Sequence, residues 1–269
     1  MLKKLILIVA ILGIFLVGYT FIEPYLIETK DITISSNQIP AEFDGKRIAF
    51  ITDVHYGPFF SKERVDSLVN QTNALKPDMI LLGGDYVTND PANVGPVFSS
   101  LSKLKAPLGV YGVLGNNDPK NVSIQAMQNA GITYIGNGGV WIGSSNTSRI
   151  RVGGVADMDT DVPNQLPILE GVTPEDFVIL VTHKPDYFPK VSRSRIDLVL
   201  AGHTHGGQIT LFGLYAPFIS SEYGQEYVTG EKKLGNDTMI ISNGIGMVWA
   251  PVRFFARPQI IVITLKRTS

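Results

Sequence analysis

Two histidines, His203 and His205, lie in the segment Ala201-Gly-His-Thr-His-Gly-Gly-Gln208, directly after the apolar run 196–200. Side chains at positions i and i+2 of an extended segment point to the same side, so these imidazoles can bind one metal ion or two adjacent ions. The flanking glycines remove side chains where backbone and ligand approach closely, which a structural histidine pair does not require. The segment therefore predicts a metal-binding site.

Further residues that can bind metal follow other apolar runs. The complete set includes all four histidines of the chain and consists of Asp53, His55, Asp85, Asn116, His183, His203 and His205. The chain has no cysteine, so a metal site must use His, Asp, Glu or Asn. Imidazole, carboxylate and amide ligands together suit Mn, Fe or Zn better than Ca or Mg. Seven ligands exceed one tetrahedral site and predict two divalent metal ions that share a bridging carboxylate, as in phosphoryl transfer.

The apolar runs that end in these polar residues predict the elements that position the site. Strands are predicted at residues 47–52, 79–82, 109–114, 149–155, 177–181, 239–242 and 259–265. Helices are predicted between Ser61 and Pro77 and between Pro119 and Gly131. Strands with polar residues just past their C-terminal ends, interleaved with helices, indicate an α/β fold with a site along that edge.

The N-terminus carries an apolar run from Leu5 to Ile22, long enough to span a bilayer and preceded by Lys3 and Lys4. We interpret it as an uncleaved transmembrane helix. A cleaved signal peptide is the alternative, but its small-residue cleavage site is hard to find in Val17-Gly-Tyr-Thr20. Because the lysines precede the run and acidic residues follow it, the positive-inside rule places the N-terminus in the cytoplasm and the rest of the chain outside.

Length and composition limit the classes of function. With 269 residues and 44% hydrophobic content, the chain can bury a full core, and one large domain with an appendage is expected. We predict an anchor at residues 1–22, a linker at 23–44 and one large domain at 45–266. The net charge of -1 gives no electrostatic reason for a nucleic-acid partner. It also disfavours a metal-dependent nuclease, which needs a basic groove.

Five motifs, in this order, resemble those of the calcineurin-like metallophosphoesterases: Asp53-x-His55, Gly84-Asp85, Gly115-Asn116, His183 and Gly202-His203-x-His205. Residues 81–87, 202–208 and 253–258 are most similar to the membrane-associated branch that contains YaeI-like and YkuE-like phosphodiesterases. The resemblance covers residues 45–266 approximately. It implies an α/β fold with a four-layer α-β-β-α sandwich, in which two mixed sheets pack face to face with helices outside.

The resemblance also implies how the ligands divide between two metal ions. It assigns Asp53, His55, Asp85 and His205 to one ion, and Asp85, Asn116, His183 and His203 to the other. Asp85 is the bridge, because a carboxylate can share its oxygens between two cations and an imidazole cannot. A hydroxide held between the cations would attack phosphorus in line with the leaving oxygen, its pKa lowered by their charge.

Four further residues are candidates for substrate contact or proton transfer. Arg253 and Arg257 are predicted to neutralise substrate phosphate, with a structural role as the alternative. Residues 115–118 read Gly-Asn-Asn-Asp, whereas most of the family has Gly-Asn-His-Asp, whose histidine is thought to assist the leaving group. Asn117 can hydrogen-bond a phosphoryl oxygen but cannot donate a proton. Water or Asp118 is the alternative proton source.

These features predict a membrane-anchored, dinuclear-metal-dependent phosphoesterase that hydrolyses a phosphodiester or a pyrophosphate. The anchor keeps the site near the bilayer and favours a lipid-linked substrate. Related enzymes suggest a UDP-2,3-diacylglucosamine-type pyrophosphate, but that substrate is cytoplasmic and the predicted topology points outward. A non-catalytic phosphate-binding scaffold is a further alternative; it predicts missing ligands, and none is missing here. Tyr215, Phe218, Tyr223 and Tyr227 are interpreted as lining a lipid or nucleoside pocket or as core.

Overall fold

The computed structural model describes residues 1–145, 148–191, 195–235 and 237–269. The α-helices are α1 (Leu2–Ile22), α2 (Lys62–Ala74), α3 (Val94–Leu101), α4 (Lys120–Asn129) and α5 (Leu166–Leu169). The strands are β1 (Glu28–Ser36), β2 (Arg47–Ile51), β3 (Met79–Leu82), β4 (Val110–Gly112), β5 (Thr133–Tyr134), β6 (Gly138–Ser145), β7 (Ser148–Gly154), β8 (Val178–Val181), β9 (Leu198–Ala201), β10 (Gly230–Leu234), β11 (Asp237–Ile241) and β12 (Gln259–Arg267).

The strands form two six-stranded sheets that pack face to face. The first has the order β1-β12-β2-β3-β4-β5 and the second the order β10-β11-β9-β8-β7-β6. Phe50 and Leu81 of the first sheet share one buried cluster with Ile179 and Leu198 of the second. Helices α2, α3 and α4 cover the outer face of the first sheet, and α5 with the 3₁₀ helix Pro185–Lys190 covers that of the second. This architecture confirms the predicted four-layer α-β-β-α sandwich.

The central strands are apolar throughout because both of their faces are covered. All four residues of β3, and likewise of β8 and β9, are buried, and these strands pair in parallel with their neighbours. Parallel strands buried on both faces carry continuous apolar runs. The same runs made these strands predictable from the sequence, and helices α2 and α4 also lie where they were predicted.

Residues 23–44 are more than the predicted linker, because they contain β1. This strand pairs in parallel with β12 over nine residues, from Glu28 opposite Gln259 to Ser36 opposite Arg267. It is an edge strand in which only Ile32 and Ile34 pack against the core between the sheets. Polar residues fill most other positions, so the segment has no continuous apolar run and its partner lies at the far end of the chain.

Helix α1 has no buried residue, and its most apolar 18-residue window has a mean hydropathy of 2.8. Within the described residues it is the one helix long and apolar enough to cross a membrane. Its C-terminal end contacts the domain. The Thr20 carbonyl accepts a hydrogen bond from Arg253 N at 3.0 Å, and the buried Glu23 carboxylate accepts two, from Phe255 N at 2.7 Å and Ala256 N at 2.6 Å.

Candidate metal centre

The predicted metal ligands lie just past the C-terminal ends of strands from both sheets. Asp53 and His55 follow β2, Asp85 follows β3, Asn116 follows β4, His183 follows β8, and His203 and His205 follow β9. Because β2, β3 and β4 run parallel to one another, as do β8 and β9, their carboxyl ends meet at one edge of each sheet. The packing of the two sheets brings both edges together.

Asp53, His55 and His205 form the first group of potential ligands, and all three are buried. His55 Nε2 lies 3.1 Å from His205 Nε2, and His205 Nε2 lies 3.5 Å from Asp53 Oδ1. One ligand atom from each residue falls within 4.8 Å of the others. The three side chains can therefore bind a single metal ion.

Asp85, His183 and His203 form the second group. His183 Nε2 lies 3.3 Å from Asp85 Oδ2 and 3.1 Å from His203 Nδ1. The same Asp85 oxygen lies 3.4 Å from Nε2 of His55, a member of the first group. Asp85 is thus positioned between the two groups, as a bridging carboxylate requires.

Asn116 has the environment expected of a metal ligand. Its Oδ1 is buried, and among the residues that the structure describes none forms a hydrogen bond with it. A buried amide oxygen without a partner costs about 1–3 kcal/mol. A divalent cation would satisfy this oxygen. The seven candidate ligands, including Asn116, therefore fit the divalent metal ions that the sequence predicts.

Five of the seven predicted ligands have left-handed backbone conformations. The φ angles are 55° at Asp53, 48° at His55, 54° at Asp85, 69° at His203 and 53° at His205. Such angles are uncommon outside glycine and are concentrated at functional sites. The expectation that His203 and His205 share an extended segment was wrong: β9 ends at Ala201, and the loop directs the two imidazoles into different groups.

Burial sets the protonation states of most site histidines. Burial lowers the pKa of His203 to about 3 and also lowers the pKa values of His55 and His205. These imidazoles are therefore neutral at neutral pH, which is the form that binds metal. Burial also disfavours a charged His183, but the Asp85 carboxylate outweighs it and raises the pKa of His183 to about 10. A metal ion bound here must displace that proton.

Hydrogen bonds outside the ligand set orient several ligands. His183 Nδ1 must donate to the Gly83 carbonyl at 2.9 Å, which leaves Nε2 facing Asp85. Thr52 Oγ1 donates to Asp53 Oδ2 at 2.8 Å, and His203 N donates to the same oxygen at 3.0 Å. Partners of this kind fix ring orientation and ligand basicity at metal sites.

Arg253 does not occupy the substrate-binding position that was predicted. Its side chain is completely buried, and its guanidinium donates to the main-chain carbonyls of Asn243, Gly246, Ala256 and His205 at 2.6 to 3.3 Å. Its Nη2 also lies 3.3 Å from Nδ1 of the His205 ring. All of its contacts are internal, so Arg253 positions His205 and the 243–246 loop.

Arg257, the other predicted substrate-binding residue, contacts the chain between α1 and β1. Its Nε donates to the Leu26 carbonyl at 2.9 Å, and its Nη1 lies 3.8 Å from Glu28 Oε2. This side chain is partly exposed. Its contacts account for a structural role, which was the stated alternative.

Asp118 has a structural position that differs from the predicted catalytic role. Its two carboxylate oxygens accept hydrogen bonds from four main-chain N–H groups, those of Asp85, Tyr86, Val87 and Gly115, at 2.8 to 3.3 Å. The side chain is buried. It therefore links the loops that carry Asp85 and Asn116, and its oxygens are not free to protonate a leaving group.

Asn117 contacts the proposed bridging carboxylate directly. Its main-chain N–H donates to Asp85 Oδ1 at 2.8 Å, and its side-chain Nδ2 donates to Asp85 Oδ2 at 2.6 Å. Its own Oδ1 accepts a hydrogen bond from Asn89 Nδ2 at 2.8 Å. Asn117 is thus beside the site, as predicted, but this geometry gives it an orienting function toward Asp85.

The 243–246 loop belongs to the site but was not predicted. Gly246 N donates to the Asp53 carbonyl at 2.6 Å, and Ile245 N lies 3.3 Å from the same oxygen. A Cβ at Gly244 would lie 2.6 Å from Asp53 Cβ. The signal was present in the sequence as Gly-Ile-Gly after the strand run 239–242, since paired glycines mark close backbone approach.

An open cavity of about 480 Å³ adjoins His203. Most of the residues that line it are polar and include Lys184, Asp186, Ser220 and Ser221. The Lys184 ammonium pairs with the Asp159 carboxylate at the cavity edge. The cavity lies next to His203 of the second ligand group and is large enough for the polar part of a phosphoester.

Comparison with known proteins agrees with this geometry. A family model described as calcineurin-like phosphoesterase matches residues 46–207. The Bacillus subtilis protein named uncharacterized metallophosphoesterase YkuE is 34% identical over 259 residues, covering 94% of this chain and 90% of the relative. An uncharacterized metallophosphoesterase of Aquifex aeolicus is 28% identical, covering 95% and 98%. A Danio rerio transmembrane protein with metallophosphoesterase domain is 25% identical, covering 88% and 57%. The chain therefore belongs to the calcineurin-like metallophosphoesterases and is a metal-dependent phosphoester hydrolase.

Proposed function

We propose that this protein is a membrane-anchored phosphodiesterase or pyrophosphatase that uses two divalent metal ions, Mn, Fe or Zn. The observation that carries the proposal is the position of Asp85 Oδ2, 3.4 Å from His55 Nε2 and 3.3 Å from His183 Nε2. One carboxylate oxygen faces both ligand groups, which is the arrangement of a shared ligand. Asp53, His55 and His205 would hold one ion, and Asn116, His183 and His203 the other, with Asp85 common to both.

Two bound cations would supply Lewis-acid charge that polarises the phosphoryl group and activates water. The chain contributes a ligand set that is buried except for the partly exposed Asn116 and His203. All four histidines fall in the two ligand groups, so none remains to protonate the leaving group. Asp118 is enclosed by main-chain donors. These features favour substrates whose leaving oxygen departs without a proton, such as phosphoanhydrides and activated diesters.

The N-terminal helix supports an uncleaved anchor. Its 21 residues would span about 32 Å, close to the ~30 Å hydrocarbon core of a bilayer. The last turn is packed into the domain through Thr20 and the buried Glu23. A signal peptide that is removed would not need such contacts. With Lys3 and Lys4 in the first turn of the helix, ahead of the apolar run, the positive-inside rule makes the N-terminus cytoplasmic and the domain extracytoplasmic.

Turnover of bis-p-nitrophenyl phosphate by the full-length protein with added Mn²⁺ tests the proposed chemistry. We expect activity in the wild type and its loss in Asp85→Asn. Asp31→Asn is the matched control, because Asp31 lies in β1 with a side chain that is 72% exposed. No activity with Mn, Fe, Zn or Ni, despite stoichiometric metal binding, would instead support a phosphate-binding scaffold.

Topology is tested separately from catalysis. Protease added to intact spheroplasts should degrade the domain if it is extracytoplasmic. A protected domain would contradict the proposed orientation and would favour a cytoplasmic substrate such as a UDP-2,3-diacylglucosamine-type pyrophosphate. Comparing the rates of hydrolysis of lipid phosphoesters with that of soluble bis-p-nitrophenyl phosphate then defines the substrate class.

A further inference from the structure

An exposed apolar surface borders the end of α1. We call it the apolar patch and define it as the exposed apolar side chains of residues 209–218 together with Trp249 and Phe255. Leu214 is 87% exposed, Trp249 80% and Phe218 74%. Residues 206–221 and 243–252 contain no Asp, Glu, Lys or Arg. Contiguous exposed apolar surface of this kind marks an interaction site in a soluble domain.

The apolar patch is continuous with the membrane helix. The Phe212 ring lies 5.3 Å from the Phe255 ring, centroid to centroid, and the Phe255 ring lies 6.1 Å from that of Tyr19 in the last turn of α1. The next residue, Thr20, accepts a hydrogen bond from Arg253 N. The patch and the exit point of α1 therefore form one surface.

The backbone that presents the patch is strained. Phe212, Trp249 and Phe255 have φ angles of 54°, 60° and 50°, a region that bulky residues rarely occupy. Gln208 holds the turn at Trp249, since its Nε2 donates to the Val248 carbonyl at 2.8 Å and its Oε1 accepts from Val248 N at 2.9 Å. Backbone strain that persists because the surrounding structure maintains it indicates a functional constraint. Here the constraint is that aromatic side chains point outward.

We propose that the apolar patch is a second membrane contact, which inserts into the interfacial region of the leaflet at which α1 leaves the bilayer. The proposal rests on the proposed anchor and deepens it. Tryptophan and tyrosine are enriched at membrane interfaces because their rings are amphipathic. A patch without charge that begins at the last turn of a membrane helix lies at the depth where such side chains are found.

This contact also defines the class of substrate. Directly after Phe218, residues Ile219, Ser220 and Ser221 line the cavity beside His203. The segment that touches the membrane thus leads into the site at which the phosphoester is bound. The substrate is therefore a phosphoester whose acyl chains stay in the leaflet while its polar part enters the cavity from the membrane surface.

The two tryptophans of the chain allow a direct test. Trp141 lies in β6 with the Arg149 guanidinium 3.6 Å from its ring centroid. The full-length protein is reconstituted in phosphatidylcholine vesicles with lipids brominated near the headgroup end of the acyl chains. W141F leaves Trp249 as the only tryptophan, and selectively excited tryptophan emission should fall about twofold or more, as expected at a depth of ~5–10 Å. W249F leaves Trp141 and is the matched control. Equal quenching of the two would overturn the membrane contact and indicate a protein partner.

A second measurement tests substrate delivery. The double substitution Leu214→Ser and Phe218→Ser should lower kcat/KM for phosphatidyl-p-nitrophenol in vesicles by about tenfold, because interfacial binding scales with buried apolar area. Turnover of soluble bis-p-nitrophenyl phosphate should not change. Equal loss on both substrates, or loss on neither, would refute delivery from the membrane. If the wild type hydrolyses neither substrate, the proposed function fails, while quenching of Trp249 still tests the patch.

Discussion

Replacement of Gly115 by alanine probes how closely the main chain approaches Asp85, the proposed bridging carboxylate. A Cβ at this position would lie 2.2 Å from Asp85 Oδ1 and 2.7 Å from Asp85 N. Gly115 does not have a positive φ, so the substitution acts through this contact and not through backbone strain. The three atoms nearest to the added methyl group, Oδ1, N and Cγ, all belong to Asp85, so this residue must move.

The expected magnitude follows from that displacement. Ordinary contacts begin at 3.4 Å, so the carboxylate must shift by about 1 Å, and an error of that size in a reacting geometry costs about 10²-fold. We expect turnover of bis-p-nitrophenyl phosphate at saturating Mn²⁺ to fall about 100-fold, with less bound metal by mass spectrometry. Overpacking should also lower the free energy of unfolding by about 1–3 kcal/mol, so the assay is run well below Tm.

Gly95→Ala is the matched control for this experiment. Gly95 lies in α3, and a Cβ there meets nothing within 4 Å. We expect full activity and a gain in unfolding free energy of about 0.4–1 kcal/mol. If Gly115→Ala keeps wild-type turnover and metal content, the close approach to Asp85 does not control the site and the reasoning is wrong.

Three further substitutions test separate parts of the structure. Asn117→His should raise the ratio of kcat on an alkyl phosphodiester to kcat on a p-nitrophenyl diester by about 10²–10⁴-fold, since it restores a general acid. Loss of the hydrogen bond from Asn117 to Asp85 lowers both rates together, so an unchanged ratio would refute the leaving-group argument. Arg253→Lys should lower the amount of bound metal and kcat, and it should lower the free energy of unfolding by about 1–3 kcal/mol, because buried carbonyls lose their donors. Arg257→Lys is the partly exposed control. Equal Tm values for the two variants would count against a positioning role for Arg253. Burial raises the pKa of Asp197 to about 6, so ionisation destabilises the fold as pH rises from about 4 to about 6. Asp197→Asn should remove that decrease in Tm, and parallel Tm profiles for variant and wild type would contradict it.

The clustering of the candidate ligands could be predicted because its signal is local in the sequence. Each ligand directly follows a short apolar run, as Asp85 follows β3 and His183 follows β8. A parallel sheet brings such strand ends to one edge, so residue type and position together were sufficient. The division into two groups came from the resemblance, and the structure gathers the carboxylates and imidazoles in the same two sets.

The features that were missed depend on contacts between distant parts of the chain. The strand β1 has two inward isoleucines, and its partner β12 begins 231 residues later. Arg253 and Asp118 were assigned to chemistry because arginine and aspartate are common in phosphate sites, whereas here main-chain groups from several loops enclose both side chains. Residue type cannot reveal such enclosure, because the enclosing groups are carbonyls and N–H groups that every residue carries.

The contacts of Arg253 connect α1, the proposed membrane anchor, to the candidate metal centre. Its main-chain N–H binds Thr20 in the last turn of α1, while its side chain binds the His205 carbonyl and the 243–246 loop that packs on Asp53. The neighbouring Glu23 carboxylate holds the two residues that follow Phe254. A flexible linker of even a few residues would let the domain rotate relative to the helix. Because α1 is instead fixed to the domain at this point, the helix sets the orientation of the domain. If α1 spans the bilayer as proposed, the metal centre has one fixed direction relative to it, and the residues that impose this direction also hold His205 in place.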